Sequence, residues 1–237
     1  MSGFPPPLAI DIFSIDNNKT MTKINYVCSL GTLCHTASWM KQMKVKKCSY
    51  PFDWIFSNPN MVIDCITNNF CKFLDRSLHC VYEIHKKNTT NRSGHTVYGK
   101  RIFNHHYILN DDTYYYFERC VHRFNILLAK PGRKLFIITF VNRTVPYQTI
   151  INDVQNIYDT LNSKTKNFEI LCIYHHIGVK LSSYVDNIHN NLKIIEIRTK
   201  SPSSGTRITN RVENDFFNNA IYSSYDFDIL DDVHYFE

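Results

Sequence analysis

Leu135-Phe-Ile-Ile-Thr-Phe-Val141 is an almost unbroken apolar run, rich in β-branched and aromatic side chains. Seven residues are short for a buried helix and suit a strand covered on both faces, as in the middle of a parallel sheet. The downstream chain repeats the theme. Pro146–Leu161 spaces its apolar residues as an amphipathic helix, and Ile170–Tyr174 and Leu192–Ile197 read as two more buried strands. Upstream, Ile24–Leu30 (INYVCSL) reads as a strand, Gly31-Thr32 breaks it, and Cys34–Met43 continues as a helix. This alternation predicts a three-layer α/β fold of Rossmann-like character, a mostly parallel sheet with helices on both faces.

The remaining segments fill in around that frame. Pro59–Leu74 suits a helix with proline in its first turn, and Tyr114–Ala129 a long helix stopped by Pro131-Gly132. Cys80–His85 and Thr96–His106 read as short strands around the polar loop Lys86–Gly94, Lys200–Gly205 as a loop, and Asp215–Ser224 as a last helix. Residues 1–22, with Pro5-Pro-Pro7 and Asn17-Asn-Lys-Thr20, read as a poorly ordered leader. The expectation is one domain over residues 23–237, with an inserted loop or hairpin at about 79–107.

Composition narrows the function classes. No segment holds the roughly 18 uninterrupted apolar residues of a membrane span, and Met1–Ile10 lacks the basic start and apolar core of a secretory signal. We therefore expect a soluble intracellular protein, in a host cytoplasm or a virion if the source is viral. Its eight cysteines should be reduced thiols. Cys28 and Cys34, like Cys65 and Cys71, are too far apart for the usual paired zinc ligands, so no metal and no cofactor is expected. The net charge of +6 is dispersed along the chain without a nucleic-acid-binding motif, which argues against a nucleic-acid partner.

Cys34 is the first candidate for chemistry. At the start of a helix a thiol feels the positive end of the helix dipole, which favours the nucleophilic thiolate. The competing reading is a small buried hydrophobe. Ser29-Leu-Gly-Thr-Leu-Cys34, followed by Ser49-Tyr-Pro-Phe-Asp-Trp54, resembles the signature of a family of bacteria and large DNA viruses described as papain-like cysteine peptidases. Phe103-Asn-His-His-Tyr107, Tyr116-Phe-Glu-Arg-Cys-Val-His-Arg-Phe124 and Lys134-Leu-Phe-Ile-Ile138 are similar to the family's later blocks, so the likeness runs from about Ile24 to about Val141. The resemblance implies a cysteine–histidine site acting on a peptide or isopeptide bond. It also implies the papain-like α+β division into a helical and an antiparallel half as the alternative fold.

A cysteine nucleophile needs a base, and the base needs an orienting group. His105 and His106 end the strand-like Thr96–His106, where neighbours point to opposite faces, so only one of them can reach the site. The resemblance favours His105. His175 and His176, at the end of another strand, are rivals; His35 points about 100° away from Cys34 on its helix. Asp53 is either the orienter of the imidazole or the cap of its own turn, with Asp111 and Asp112 as further acids. Ser29 and the amides of Leu33 and Cys34 are candidates for binding an oxyanion. Arg119 and Arg123, four apart on one helix, either bind an anionic substrate group or turn inward to pair with Asp53.

The leading expectation is a cysteine hydrolase or acyltransferase with a peptide or protein substrate. The alternatives are a glycan- or nucleotide-sugar-related α/β protein, for which Asp226-Phe-Asp228 approaches a metal-binding Asp-x-Asp, and a non-catalytic interaction module.

Overall fold

A computed structural model describes residues 21–83, 92–142 and 146–233. The leader to residue 20 and most of the loop Lys86–Gly94 lie outside the described residues. The chain enters as β1 (Lys23–Ile24) and β2 (Tyr26–Ser29), turns through Gly31, and forms α1 (His35–Gln42). After the Ser49–Trp54 turn come α2 (Pro59–Thr67), a 3-10 turn at Arg76–Leu78, β3 (His79–Glu83), β4 (Arg92–His95) and β5 (Gly99–Phe103). The second half comprises α3 (Asp111–Ala129), β6 (Lys134–Phe140), α4 (Tyr147–Asn162), β7 (Phe168–Ile177), β8 (Ser182–His189), β9 (Leu192–Thr199), α5 (Arg211–Tyr222) and β10 (Asp226–Phe227).

The apolar run at Leu135 is strand β6, buried along its whole length. It lies second in a five-stranded sheet of order β2-β6-β7-β9-β8. The β2–β6, β6–β7 and β7–β9 pairs are parallel and β8–β9 is antiparallel, so the sheet is mixed. Alternate residues of each strand supply two cores. Cys28, Phe136, Ile138, Ile170 and Cys172 face α2, α3 and α4 on one side; Val27, Leu135, Ile137, Leu171 and Ile173 face α1 and α5 on the other. The result is a mixed α/β protein with helices on both faces of its main sheet. β3, β4 and β5 form a separate antiparallel sheet, and β1 pairs with β10.

Several expectations change. The run Ile24–Leu30 is two strands, because the Asn25 and Tyr26 amides both donate to Arg133 O and break the ladder there. Pro59–Leu74 is helical only to Thr67; Asn69 and Phe70 take positive φ, which turns the chain so that Phe70 and Phe73 reach the aromatic core around Phe124 and Phe117. Thr96–His106 is not one strand. Thr96–Tyr98 is a turn between β4 and β5, and β5 ends at Phe103, so His105 and His106 sit on a turn before α3. The antiparallel β8 had no clear sequence signal, since an edge strand with a half-exposed face carries no apolar run.

Candidate active site around the Cys34 turn

The site begins where β2 ends. Gly31 takes φ +91°, open to glycine without cost, and a Cβ there would lie 1.8 Å from Ser57 Oγ. That hydroxyl belongs to a clamp. Ser57 Oγ donates to Leu30 O at 3.0 Å and its amide donates to Thr32 O at 3.0 Å, while Thr32 Oγ1 donates to Thr139 O at 2.7 Å on β6. The loop carrying Cys34 is therefore tied both to the central strand and to the segment after Trp54. Ser29 is fully buried, and its hydroxyl oxygen accepts from the Gly31 amide at 3.1 Å.

Helices α2, α3 and α5 each start with an asparagine whose side chain accepts from a first-turn amide. Helix α1 does not. Cys34 occupies its cap position and makes no side-chain cap hydrogen bond. Its thiol differs from the helix-dipole expectation. Cys34 is only 3% exposed, and burial pushes the thiol up to about 11, its own backbone N–H opposing and the Asp53 carboxylate adding to the rise. Desolvation of the sulfur outweighs the helix end, so the resting form is the protonated thiol.

Asp53 is completely buried. Its Oδ2 accepts from the Tyr50 amide at 3.0 Å and pairs with Lys46, while Oδ1 has no partner among the described residues. It caps its own turn, and among the described residues no imidazole is hydrogen-bonded to it. Arg123 faces inward, as one reading of the α3 pair expected, but it donates to Ser49 O at 3.0 Å and Cys120 Sγ at 3.1 Å and leaves Lys46 as the partner of Asp53. Arg119 is exposed on α3.

The histidines separate into two groups. His105 is exposed, and its ring meets Phe56 edge-on at 6.3 Å; Phe56 in turn donates its amide to Ile102 O and precedes the Ser57 clamp. His106 turns away, stacked on Tyr116 at 5.7 Å, and burial pushes it down to about 4. Asp112 is exposed near it, and Asp111 pairs with Arg76 at 2.7 Å. His35 and His175 belong to the opposite face of the sheet, His35 stacked on Phe217 and His175 edge-on to it. His35 Nδ1 shares a hydrogen bond of 3.0 Å with Ser203 Oγ. His175 Nδ1 accepts from the Asn142 amide at 3.2 Å, and its Nε2 is 2.8 Å from Thr199 Oγ1. His176 pairs with Glu196 at 2.9 Å. Among the described residues, no ring nitrogen is hydrogen-bonded to the Cys34 sulfur.

The buried pair His35 and His175 makes stability depend on acid. Burial pushes His35 down to about 3 and His175 to about 4, so between those values and the ordinary 6.5 the unfolded chain binds protons that the folded chain refuses. The stabilising contribution is complete above about pH 6.5 and drains away as pH falls. We expect the guanidinium unfolding free energy to drop by about 2–4 kcal/mol between pH 7.5 and 5. A flat profile over that range rejects this account.

Sequence reasoning gave no individual role to Lys46, Ser57 or Tyr116, which hold the site together. No spacing rule marks them, because each acts through a contact made only after the chain has turned back on itself.

Ser29–Cys34 and Phe103–Tyr107 both meet the Phe56–Ser57 step that follows Ser49–Trp54, through Ser57–Thr32 and Phe56–His105, while Tyr116–Phe124 meets Ser49–Trp54 through Arg123–Ser49 and Phe103–Tyr107 through His106–Tyr116. Residues 25–178, more than half of the chain, match the family model described as putative papain-like cysteine peptidase (DUF1796), and the chain belongs to that family. No curated protein and no solved structure matches it. Among the described residues no helix is long and apolar enough to cross a membrane, and no three His, Cys, Asp or Glu side chains are grouped to hold a metal ion.

Proposed function

We propose that the chain is a cysteine hydrolase of peptide or isopeptide bonds, with Cys34 as nucleophile and His105 as base, on a Rossmann-like arrangement of the four parallel strands. The observation that supports this reading is that the four motif segments pack in one cluster that includes the Cys34 turn. Burial keeps the resting sulfur protonated, so the proton leaves as attack occurs rather than from a standing ion pair. His105 takes that proton while the sulfur bonds to the carbonyl carbon. The Leu33 and Cys34 amides, at a helix start without a side-chain cap, face the oxyanion. The imidazolium then gives its proton to the leaving amine as the C–N bond breaks. Water, deprotonated by the same ring, cleaves the thioester and restores the thiol. In this reading Asp53 anchors the Ser49–Trp54 turn, and His106 lines a neighbouring recess.

The test combines labelling and turnover. A peptidyl acyloxymethyl ketone should modify Cys34, located by mass spectrometry, and fluorogenic peptides should be hydrolysed. Cys34→Ser should lower kcat/KM by a factor of about 10³ or more, and His105→Ala by about 10²–10⁴. Label spread evenly over the eight thiols, or turnover that survives Cys34→Ser, rejects the reading in favour of an interaction module.

A further inference from the structure

The turn carrying His106 and the start of α3 border an open recess of about 250 Å³ lined by His106, Asp112, Thr113 and Tyr116. We propose that this recess is a subsite for a lysine or arginine side chain of the peptide substrate, an assignment that rests on the hydrolase reading above.

The lining chooses among ligand classes. An anion is disfavoured although a helix begins here, because the Asn110 side chain already occupies the Thr113 amide at 2.8 Å and Asp111 and Asp112 place carboxylates in the first turn. A purely apolar group is a poor match as well. The recess carries a carboxylate and a threonine hydroxyl, and His106 Nε2 is a buried polar atom without a partner among the described residues. A cation fits each element. Arg76 neutralises Asp111 at 2.7 Å, whereas Asp112 makes no ion pair among the described residues. The Tyr116 ring, stacked on His106 at 5.7 Å and 18°, supplies an aromatic face, and burial holds the His106 ring neutral so that it does not repel a positive guest. The chain as a whole is basic, at +6, so attraction of a cation is a local property of this recess.

Its position fits a substrate subsite. Tyr116 also interacts with Ser49, the first residue of the segment that contains Asp53, so one wall of the recess is shared with the packing of that motif segment. His106, next in the chain to the proposed base, would contact the side chain while His105 serves the scissile bond.

The experiment uses the full chain as Cys34→Ala, which prevents turnover and leaves the recess intact. N-acetyl methylamides of lysine, arginine, norleucine and glutamate are titrated while the His106 ring resonance, assigned with His106→Gln, is followed by NMR. The lysine and arginine compounds should shift it saturably, at least about fivefold more tightly than norleucine, and glutamate should leave it unmoved. Asp112→Asn should erase that preference; because Asp112 is exposed, the fold should tolerate the change, and an unaltered melting temperature verifies it. Equal binding of norleucine, binding of glutamate, or an unaffected Asp112→Asn variant overturns the assignment. Because the readout is binding, the two readings fail separately. Discrimination with no Cys34-dependent hydrolysis supports the cation subsite and removes only the peptidase, whereas hydrolysis by the wild-type chain without discrimination removes only the subsite.

Discussion

Gly31→Ala should destabilise the protein by about 3–5 kcal/mol and abolish any activity of Cys34. Two costs combine. The φ of +91° is unfavourable for any residue with a Cβ, and that Cβ would sit 1.8 Å from Ser57 Oγ and 3.2 Å from Ser57 Cβ. Relief by moving Ser57 releases its bonds to Leu30 O and Thr32 O, which leaves buried carbonyls unpaired. The two costs can be separated. In the Gly31→Ala/Ser57→Gly double variant the steric part should vanish, so stability should recover by about 1–2 kcal/mol over Gly31→Ala alone. Urea unfolding of the four proteins of this cycle measures the coupling. A Gly31→Ala loss under about 1 kcal/mol, or a coupling of zero, would show that the turn does not depend on this close approach.

Lys46→Met should cost about 3–5 kcal/mol at pH 8, because it strands the Asp53 carboxylate, which has no exposure, without its ion partner. The loss has a characteristic pH dependence. Burial already raises the Asp53 pKa, with Lys46 the main opposing influence. Without Lys46 the folded-state pKa climbs far above the unfolded value, so the folded variant binds a proton that the unfolded chain lacks. The penalty of the substitution is then smallest at low pH and grows as pH rises, a slope of up to about 1.4 kcal/mol per unit that runs against the contribution of the buried histidines. Adding Asp53→Asn should restore most of the stability and remove the slope, since an amide oxygen can still accept from the Tyr50 amide at 3.0 Å. A Lys46→Met variant as stable at pH 8 as the parent would mean that the buried pair contributes nothing.

Which strands cross the core was legible in local pattern. Leu135–Val141, Ile170–Tyr174 and Leu192–Ile197 are apolar on both sides because both sides are covered, and each is a strand in the structure. The helices that pack on them were legible from the same periodicity. Where elements end was less so. The break at Asn25 depends on Arg133 O, more than a hundred residues away, and the early end of α2 depends on an aromatic cluster that draws Phe70 inward. Cys34 was visible as a residue at a strand-to-helix turn, but its charge state was not. The helix-end effect can be read from neighbours in the chain, whereas desolvation depends on what folds over the sulfur, and burial prevails.

By itself, then, the order of residues determined the buried central strands, the helices that pack on them, the cysteine at the turn and the motif segments of the family, because periodicity and glycine geometry act over a few neighbours. Only the tertiary structure decided that His105 is exposed beside Phe56 while His106 is enclosed against Tyr116, that Lys46 rather than Arg123 holds Asp53, and that His35 and His175 belong to the far face of the sheet. Those outcomes are contacts between distant segments, and burial, which sets both their geometry and their protonation, exists only once the layers have closed.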